Sequence, residues 1–316
     1  MAPRRFVLEV DYDRSALLAF IAKIRRIVCV EKRNVVVDFR KTLRMHPCGT
    51  LLFVAELERI RRSRGGDSSC FRCIYPKDLV VEQVLQQVGI LDILRCKARQ
   101  PEQNFEENVR HWRFASGLQV EGAKLEELSA AFEGKIADAL MTDFYDGITE
   151  AMTNSIQHAY ELERNDGITT IDDLKRWWMF SQEYEGFLYV AFCDTGIGIP
   201  RSLKSDTHWS REILGDLMRS LKISGDSESE LIKGAIELRT TRTEEQHRGR
   251  GLSEILDVVR NSGKGTFLIH SNRGSYKYDA SDESQRLTDF NESIRGTLIL
   301  WKVPLAELRE PHDPQS

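Results

Sequence analysis

Glu150, Asn154 and His158 stand at i, i+4 and i+8 of the stretch DFYDGITEAMTNSIQHAY, running from Asp143 to Tyr160. The stretch holds no Pro, its one Gly (Gly147) comes early, and Phe144, Ile148, Ala151, Met152, Ser155 and Ala159 recur at helical spacing. That pattern predicts a helix with one core face. At about 100° per residue the three polar side chains share a second stripe, roughly 120° from the centre of the apolar one. A carboxylate one turn before a carboxamide is a chemically useful pair. Glu150 can orient and deprotonate a water, and Asn154 can offer an amide oxygen to a hard cation such as magnesium. The same residues also suit an ordinary solvated face, and the helix alone does not decide.

Two later stretches carry chemistry of their own. Phe187 to Pro200, FLYVAFCDTGIGIP, is an apolar run that ends in Asp194, Gly196 and Gly198, and glycines at such a turn let the backbone pass close to a ligand with unusual torsions. Arg248 to Leu252, RGRGL, opens another amphipathic segment. Gly249 and Gly251 ahead of a helix expose N–H groups that suit phosphate, and the helix dipole favours the anion. Arg239, Arg242, Arg248 and Arg250 gather at the same place. Arg248 or Arg250 as a phosphate ligand, and all four as plain surface residues, are both open at this point.

In this order the stretches resemble the nucleotide-binding signature of the GHKL superfamily, which takes in gyrase B, heat-shock chaperone ATPases, histidine kinases and MutL. The resemblance covers E-A-x-x-N-x-x-x-H-A-Y at Glu150 to Tyr160, D-x-G-x-G-I-P at Asp194 to Pro200 and G-x-G-L at Gly249 to Leu252, and Gly296-Thr297 fits the late Thr. It implies a Bergerat α/β sandwich, a mixed sheet backed by helices, over residues 125–305, with ATP and Mg2+ as cofactors. It further implies Glu150 as the catalytic group and Asn154 as the magnesium ligand. Nucleotide contacts would come from Asn154, His158, Asp194, Gly196, Gly198, Ile199, Arg248, Gly249, Arg250, Gly251, Leu252 and Thr297. Asp194 would accept a hydrogen bond from the exocyclic amine of adenine, which rejects guanine because its carbonyl would face a carboxylate. Thr297 would hold, with Asp194, a water bridging to the base.

The resemblance leaves the reaction open. In the topoisomerase and chaperone branch the Glu one turn before the Asn activates water, whereas the helix box of anti-sigma serine kinases is the closest in wording to EAMTNSIQHAY. Residues 201–250 occupy the place of the lid that closes over ATP. The first expectation is a slow ATPase whose lid transmits nucleotide state to a regulatory protein partner. An anti-sigma-type Ser/Thr protein kinase and a non-catalytic ATP sensor in a regulatory or defence assembly are the alternatives. ATPase relatives bring a Lys or Arg from a following domain to the γ-phosphate; here that charge is expected from the lid, from a partner, or from nowhere. His111, in the context HWRFA, does not match a phosphoacceptor motif, so autophosphorylation on His is not expected.

The elements ahead of the helix alternate. Residues 4–10 read as a strand, Ser15 to Val28 as a helix capped by Ser15, Asn34 to Arg40 as a buried strand, Leu51 to Ser63 as a helix, Phe71 to Ile74 as a strand and Leu79 to Leu94 as a helix. Such alternation predicts a small α/β domain over 1–97. Its order and the Cys48-Gly49 turn resemble a STAS domain. Phosphorylated members of that family carry D-S-S-G at this turn; His46, Pro47, Cys48 and Gly49 stand there instead, with Thr50 adjacent. The resemblance therefore implies a docking or sensing module without the phosphorylation switch. Residues 98–124 read as a join and Leu125 to Leu140 as a helix. After the central helix, Arg176 to Gln182 and Phe187 to Phe192 read as a hairpin through EYEG. Ser210 to Leu221, Ser229 to Leu238 and Ser253 to Asn261 read as helices, and Gly265 to His270, Ser275 to Tyr278 and Thr297 to Val303 as strands. Residues 306–316 read as a flexible tail.

Composition bounds the rest. With 316 residues, 41% apolar and 30% charged, the chain reads as two soluble globular domains. A net charge of −4 from 45 basic and 49 acidic residues argues against a nucleic-acid or membrane surface. No stretch approaches the ~18 apolar residues of a membrane span, and MAPRRFVLEV lacks the marks of a secretory signal. A cytoplasmic protein is expected, with a homodimer left open. The six cysteines, at 29, 48, 70, 73, 96 and 193, include one C-x-x-C without a second pair, so free thiols are expected.

Overall fold

Strands that are apolar on both faces need cover on both faces, and Trp177 to Phe180, Val190 to Cys193 and Leu298 to Trp301 are such runs. A computed structural model of the chain shows what covers them. It describes residues 1–106, 109, 113–120, 138–205, 227–238 and 251–305, with backbone alone at 102, 138–143, 238 and 251–255. The architecture is mixed α/β. The first part contains α1 (Asp11–Arg25), α2 (Pro47–Arg62), α3 (Leu79–Gln87) and α4 (Ile90–Ile93) around two parallel strand pairs. These are β1 (Arg5–Phe6) with β3 (Arg44–Met45), and β2 (Val35–Asp38) with β4 (Phe71–Ile74).

The second part is built on a seven-stranded sheet in the order β10-β9-β8-β11-β7-β6-β5. Its strands are β5 (Arg113–Gly117), β6 (Trp177–Tyr184), β7 (Phe187–Asp194), β8 (Thr266–Ser271), β9 (Gly274–Asp279), β10 (Ser284–Asp289) and β11 (Thr297–Pro304). The expected mixed sheet is not what forms: every neighbouring pair is antiparallel. Tight hairpins join β6 to β7 and β8 to β9 to β10, and β11 enters between β7 and β8 antiparallel to both. Helices α5 (Asp138–His158), α6 (Ile199–Lys204), α7 (Glu228–Leu238) and α8 (Gly251–Ser262) complete this part.

Side-chain alternation divides the sheet between two cores. Trp177, Met179, Phe192 and Trp301 pack with α5, α7 and α8, while Trp178, Phe180, Cys193 and Leu300 pack with the first part. Helix α2 is the hinge of that second contact. Every residue from Pro47 to Ile60 is buried, including Glu56, Glu58 and Arg59. A helix enclosed on all sides must satisfy its charges internally. Glu56 Oε2 takes Arg25 at 3.1 Å, and Arg59 Nη1 reaches Asp166 Oδ2 at 2.7 Å. Arg164 contributes its Nη2 to Glu56 and its Nε to Asp166 at 3.1 Å. Beside this cluster, Trp178 donates Nε1 to Glu58 at 2.6 Å. Burial alone would raise the Glu56 and Asp166 pKa values, but the surrounding arginines hold both below the ordinary carboxylate range.

Several expected boundaries shift for physical reasons. Ser15 lies inside α1 rather than capping it, because Asp11 and Asp13 already place carboxylates at the dipole's positive end one turn earlier. Pro47 opens α2 four residues before Leu51, in the first-turn position that proline favours. The last helix of the first part breaks into α3 and α4 at Gly89, which takes φ 74°. The join supplies edge strand β5, and the exposed, polar β10 had no apolar alternation to announce it. Cys73 and Cys96 form a disulfide, correcting the expectation of free thiols throughout; Cys29, Cys48, Cys70 and Cys193 are free and buried. Sequence spacing pairs Cys73 with Cys70, whereas the fold returns the chain after α4 to the end of β4, where Tyr75 also donates to Lys97 O at 2.8 Å. The expected helix at 210–221, most of that at 125–140 and the 306–316 tail lie outside the described residues, as does His111. Among the described residues, no helix is long and apolar enough to cross a membrane.

The arginine–carboxylate cluster makes a direct prediction. Asp166→Ala leaves Arg59 and Arg164 without a shared counter-charge and should cost about 3–5 kcal/mol. Asp173→Ala, which removes a partly exposed partner of Arg62 at 2.9 Å, should cost less than about 1 kcal/mol. Urea denaturation of both variants checks the contrast, and equal losses would contradict it.

Candidate functional site

Helix α5 carries the polar stripe as its spacing predicts. Phe144, Ile148, Ala151, Met152, Ser155 and Ala159 are buried, while Glu150, Asn154 and His158 are half-buried. Asn154 donates Nδ2 to Glu150 Oε1 at 3.0 Å, which turns the amide oxygen away from the carboxylate. His158 Nδ1 lies 3.3 Å from Glu161 Oε1.

The end of the helix meets the Asp194 turn. Asp194 closes β7, opposite Thr297 of β11 and Trp177 of β6. Its Oδ1 accepts from Gly196 N at 2.9 Å and from Thr297 N at 3.3 Å. Burial pushes its carboxyl up to about 6, with those two N–H groups and Arg164 opposing the shift. Gly196 is needed where it stands, since a Cβ there would lie 2.1 Å from Ala159 O. Gly198 takes φ 79°, and a Cβ on it would meet the Asn272 amide at 2.5 Å. The loop is tied on both sides by Ile197 N to Ala159 O at 2.7 Å and by Asn272 Nδ2 to Ile197 O at 2.8 Å. Ile199 N donates to Ser271 Oγ at 2.8 Å, and that hydroxyl lies 3.1 Å from Thr297 Oγ1.

The fold thus brings Asp194, Gly196, Gly198, Ile199 and Thr297 into one hydrogen-bonded unit and sets it against the C-terminal end of α5. Glu150 and Asn154 form a second unit up the same helix. Gly251 and Leu252 open α8, whose backbone packs alongside α5. Arg248, Gly249 and Arg250 lie outside the described residues, as do Arg239 and Arg242. Of the 201–250 segment, the structure describes α6, Ser205 and 227–238.

Four positioning residues were not picked out by motif. Tyr160 accepts from Thr195 N at 3.2 Å and donates to Arg176 O, bracing the turn from below. Arg164 donates to Thr195 O at 3.1 Å and so joins the turn to the charge cluster on α2. Ser271 and Asn272 come from the tip of the β8–β9 hairpin. Tyr160 stood in the helix box as a letter without a role; the other three carry no signal in a single sequence. At the turn of the first domain, Cys48 is fully buried and Thr50 Oγ1 is buried without a hydrogen-bond partner among the described residues. No accessible acceptor hydroxyl stands at 46–50.

No model of a protein family matches the chain, and no curated protein matches it.

The Asp194 environment fixes a pH dependence. Native Asp194 keeps its proton to higher pH than the unfolded chain, so its contribution favours the native state below 3.8 and is lost as pH rises through about 6. The displacement from 3.8 to about 6 corresponds to about 3 kcal/mol. Asp194→Asn, neutral at every pH, should therefore gain up to about 3 kcal/mol on the wild type between about pH 4 and about pH 7. Urea titrations of the pair at both ends of that range measure it; parallel stability curves would contradict it.

Proposed function

We propose that the chain is a Mg-ATP-binding protein of the GHKL type, with a STAS-like first domain, and that it hydrolyses ATP slowly. The observation that carries this reading is the Asp194 carboxylate. It is buried, oriented by Gly196 N and Thr297 N, and placed at the end of the helix that presents the Glu150–Asn154 pair. Both of these N–H groups donate to Oδ1, and a carboxylate oriented in this way has further acceptor capacity that the exocyclic amine of adenine would suit.

The donor set suits magnesium. Mg2+ takes hard oxygen ligands and keeps several waters when it is carried on phosphates, and Asn154 can supply the one amide oxygen that this arrangement asks of the protein. When bound, the metal would neutralise charge on the transferring phosphoryl group. Glu150 then orients and deprotonates the attacking water. Its hydrogen bond from Asn154 holds the carboxylate in one rotamer. Thr297 and Asp194 together fix the base. Arg248 or Arg250 is the proposed source of charge at the phosphates and Gly249 a proposed backbone contact, next in sequence to Gly251 and Leu252, which open α8.

Protein phosphotransfer to Ser or Thr is the second reading, favoured by the fusion of a first α/β domain whose α2 is bonded through Glu56 and Arg164 to Thr195 O, next to Asp194. A regulatory protein is the partner in both readings.

Single-turnover assays and equilibrium binding separate the roles. Glu150→Ala should retain Mg-ATP and lose turnover by about 10²–10⁴-fold. Asn154→Ala should lose magnesium-dependent binding while keeping the fold. Turnover in Glu150→Ala equal to that of the wild type would sink the proposal.

A further inference from the structure

We propose that a cavity of about 440 Å3 beside the Asp194 turn binds a small anion carrying two or more phosphate groups, at a site separate from the proposed nucleotide site. Arg164, Arg201, Lys204, Arg273 and Arg295 line it, against one carboxylate, Glu228, among the described residues. In a chain of net charge −4, this is a local concentration of cations, which low-dielectric walls focus onto whatever enters.

Two of the five charges are already spent. Arg164 serves Glu56 and Asp166, and Arg273 Nε lies 3.2 Å from Glu228 Oε1. Arg201, Lys204 and Arg295 make no ion pair among the described residues. They come from α6 and from the loop before β11, so two separate parts of the fold converge on one space. Guanidinium groups match phosphate oxygens in bidentate geometry, and a lysine adds a point charge. Three cations without an ion pair among the described residues ask for more than one phosphate. The volume is that of a small-molecule site.

Arg295 is held there at a conformational cost. Its φ of 55° is in the left-handed region that a side chain of its size rarely takes. Ser293 Oγ accepts from its N–H at 3.0 Å, and Gly296 behind it lies so close to the β7 end that a Cβ would sit 2.3 Å from Asp194 O. Burial and the repulsion of Arg25 and Arg164, only partly offset by Asp166 and Glu56, also hold its pKa below the ordinary guanidinium value. An anion relieves that repulsion. Glu150, Asn154 and Asp194 are not among the lining residues, whereas Gly196 and Ile197 are; the two sites would share one turn.

Calorimetric titration of inorganic pyrophosphate into the full chain, with and without excess Mg-ATP, tests this. The expected result is one saturable site that persists with ATP present and weakens as salt is raised. Lys204→Gln with Arg295→Gln should weaken it at least about tenfold, through lost phosphate contacts. Arg201→Gln, on the helix and free of the unusual backbone, provides a second variant should the first fail to fold. Failure of ATP to bind would count against the nucleotide reading alone. No heat from pyrophosphate, unchanged affinity in both variants, or one-for-one displacement by ATP would overturn the second site. Full competition by a short single-stranded DNA would overturn the small-ligand assignment in favour of a nucleic-acid backbone.

Discussion

The buried cluster of Arg25, Arg59 and Arg164 with Glu56 and Asp166 is the constraint on which the rest of the structure depends. The five charges come from three places: Arg25 from α1, Glu56 and Arg59 from α2, and Arg164 and Asp166 from the loop after α5. None can be left alone in a dry interface, because removing a charge from water costs several kcal/mol unless partners replace the solvent. The cluster therefore favours one register of the first part of the chain on the sheet. Its excess of one arginine is partly discharged by Thr195 O, which accepts from Arg164. Through that bond the packing of α2 and the position of the Asp194 turn become one problem. A shift of α2 would have to move the turn or break a buried pair, so the two are mechanically linked.

The sheet sets the second constraint. Because α5, α7 and α8 cover one face and the first domain the other, the central strands β7 and β11 are apolar without alternation, and only their ends can afford polar side chains. Asp194 and Thr297 occupy those ends, paired across the ladder. Polar side chains thus gather at the rim where β7 and β8 finish and β11 begins, and the same rim borders the cationic cavity. The tightness of that rim is what requires Gly196 and Gly198. Gly196 brings the turn against the backbone at the end of α5, and Gly198 brings it against the Asn272 side chain at the β8–β9 hairpin.

Reading the sequence succeeded where a pattern is local. The polar stripe of α5, the β6–β7 hairpin, β4, α7 and the Gly196–Gly198 turn all follow from periodicity or turn chemistry within a dozen residues. It failed where the determinant is distant. Arg59 and Asp166 are 107 positions apart, and nothing in the wording around either says that they meet. Cys96 lies beyond any spacing motif with Cys73. The joining of the two hairpin sets into one antiparallel sheet depends on β11 inserting between β7 and β8, a long-range choice that strand propensity does not encode. β10 escaped notice because an exposed edge strand needs no apolar face.

The central claim is that the Asp194 carboxylate reads adenine. Its most direct test is calorimetry of ATP and of GTP, each with magnesium, on the wild-type chain. The account predicts saturable binding of ATP and a preference over GTP of roughly a hundredfold or more, since guanine presents a carbonyl to a carboxylate. Equal affinity for the two nucleotides, or no binding of ATP, would contradict it.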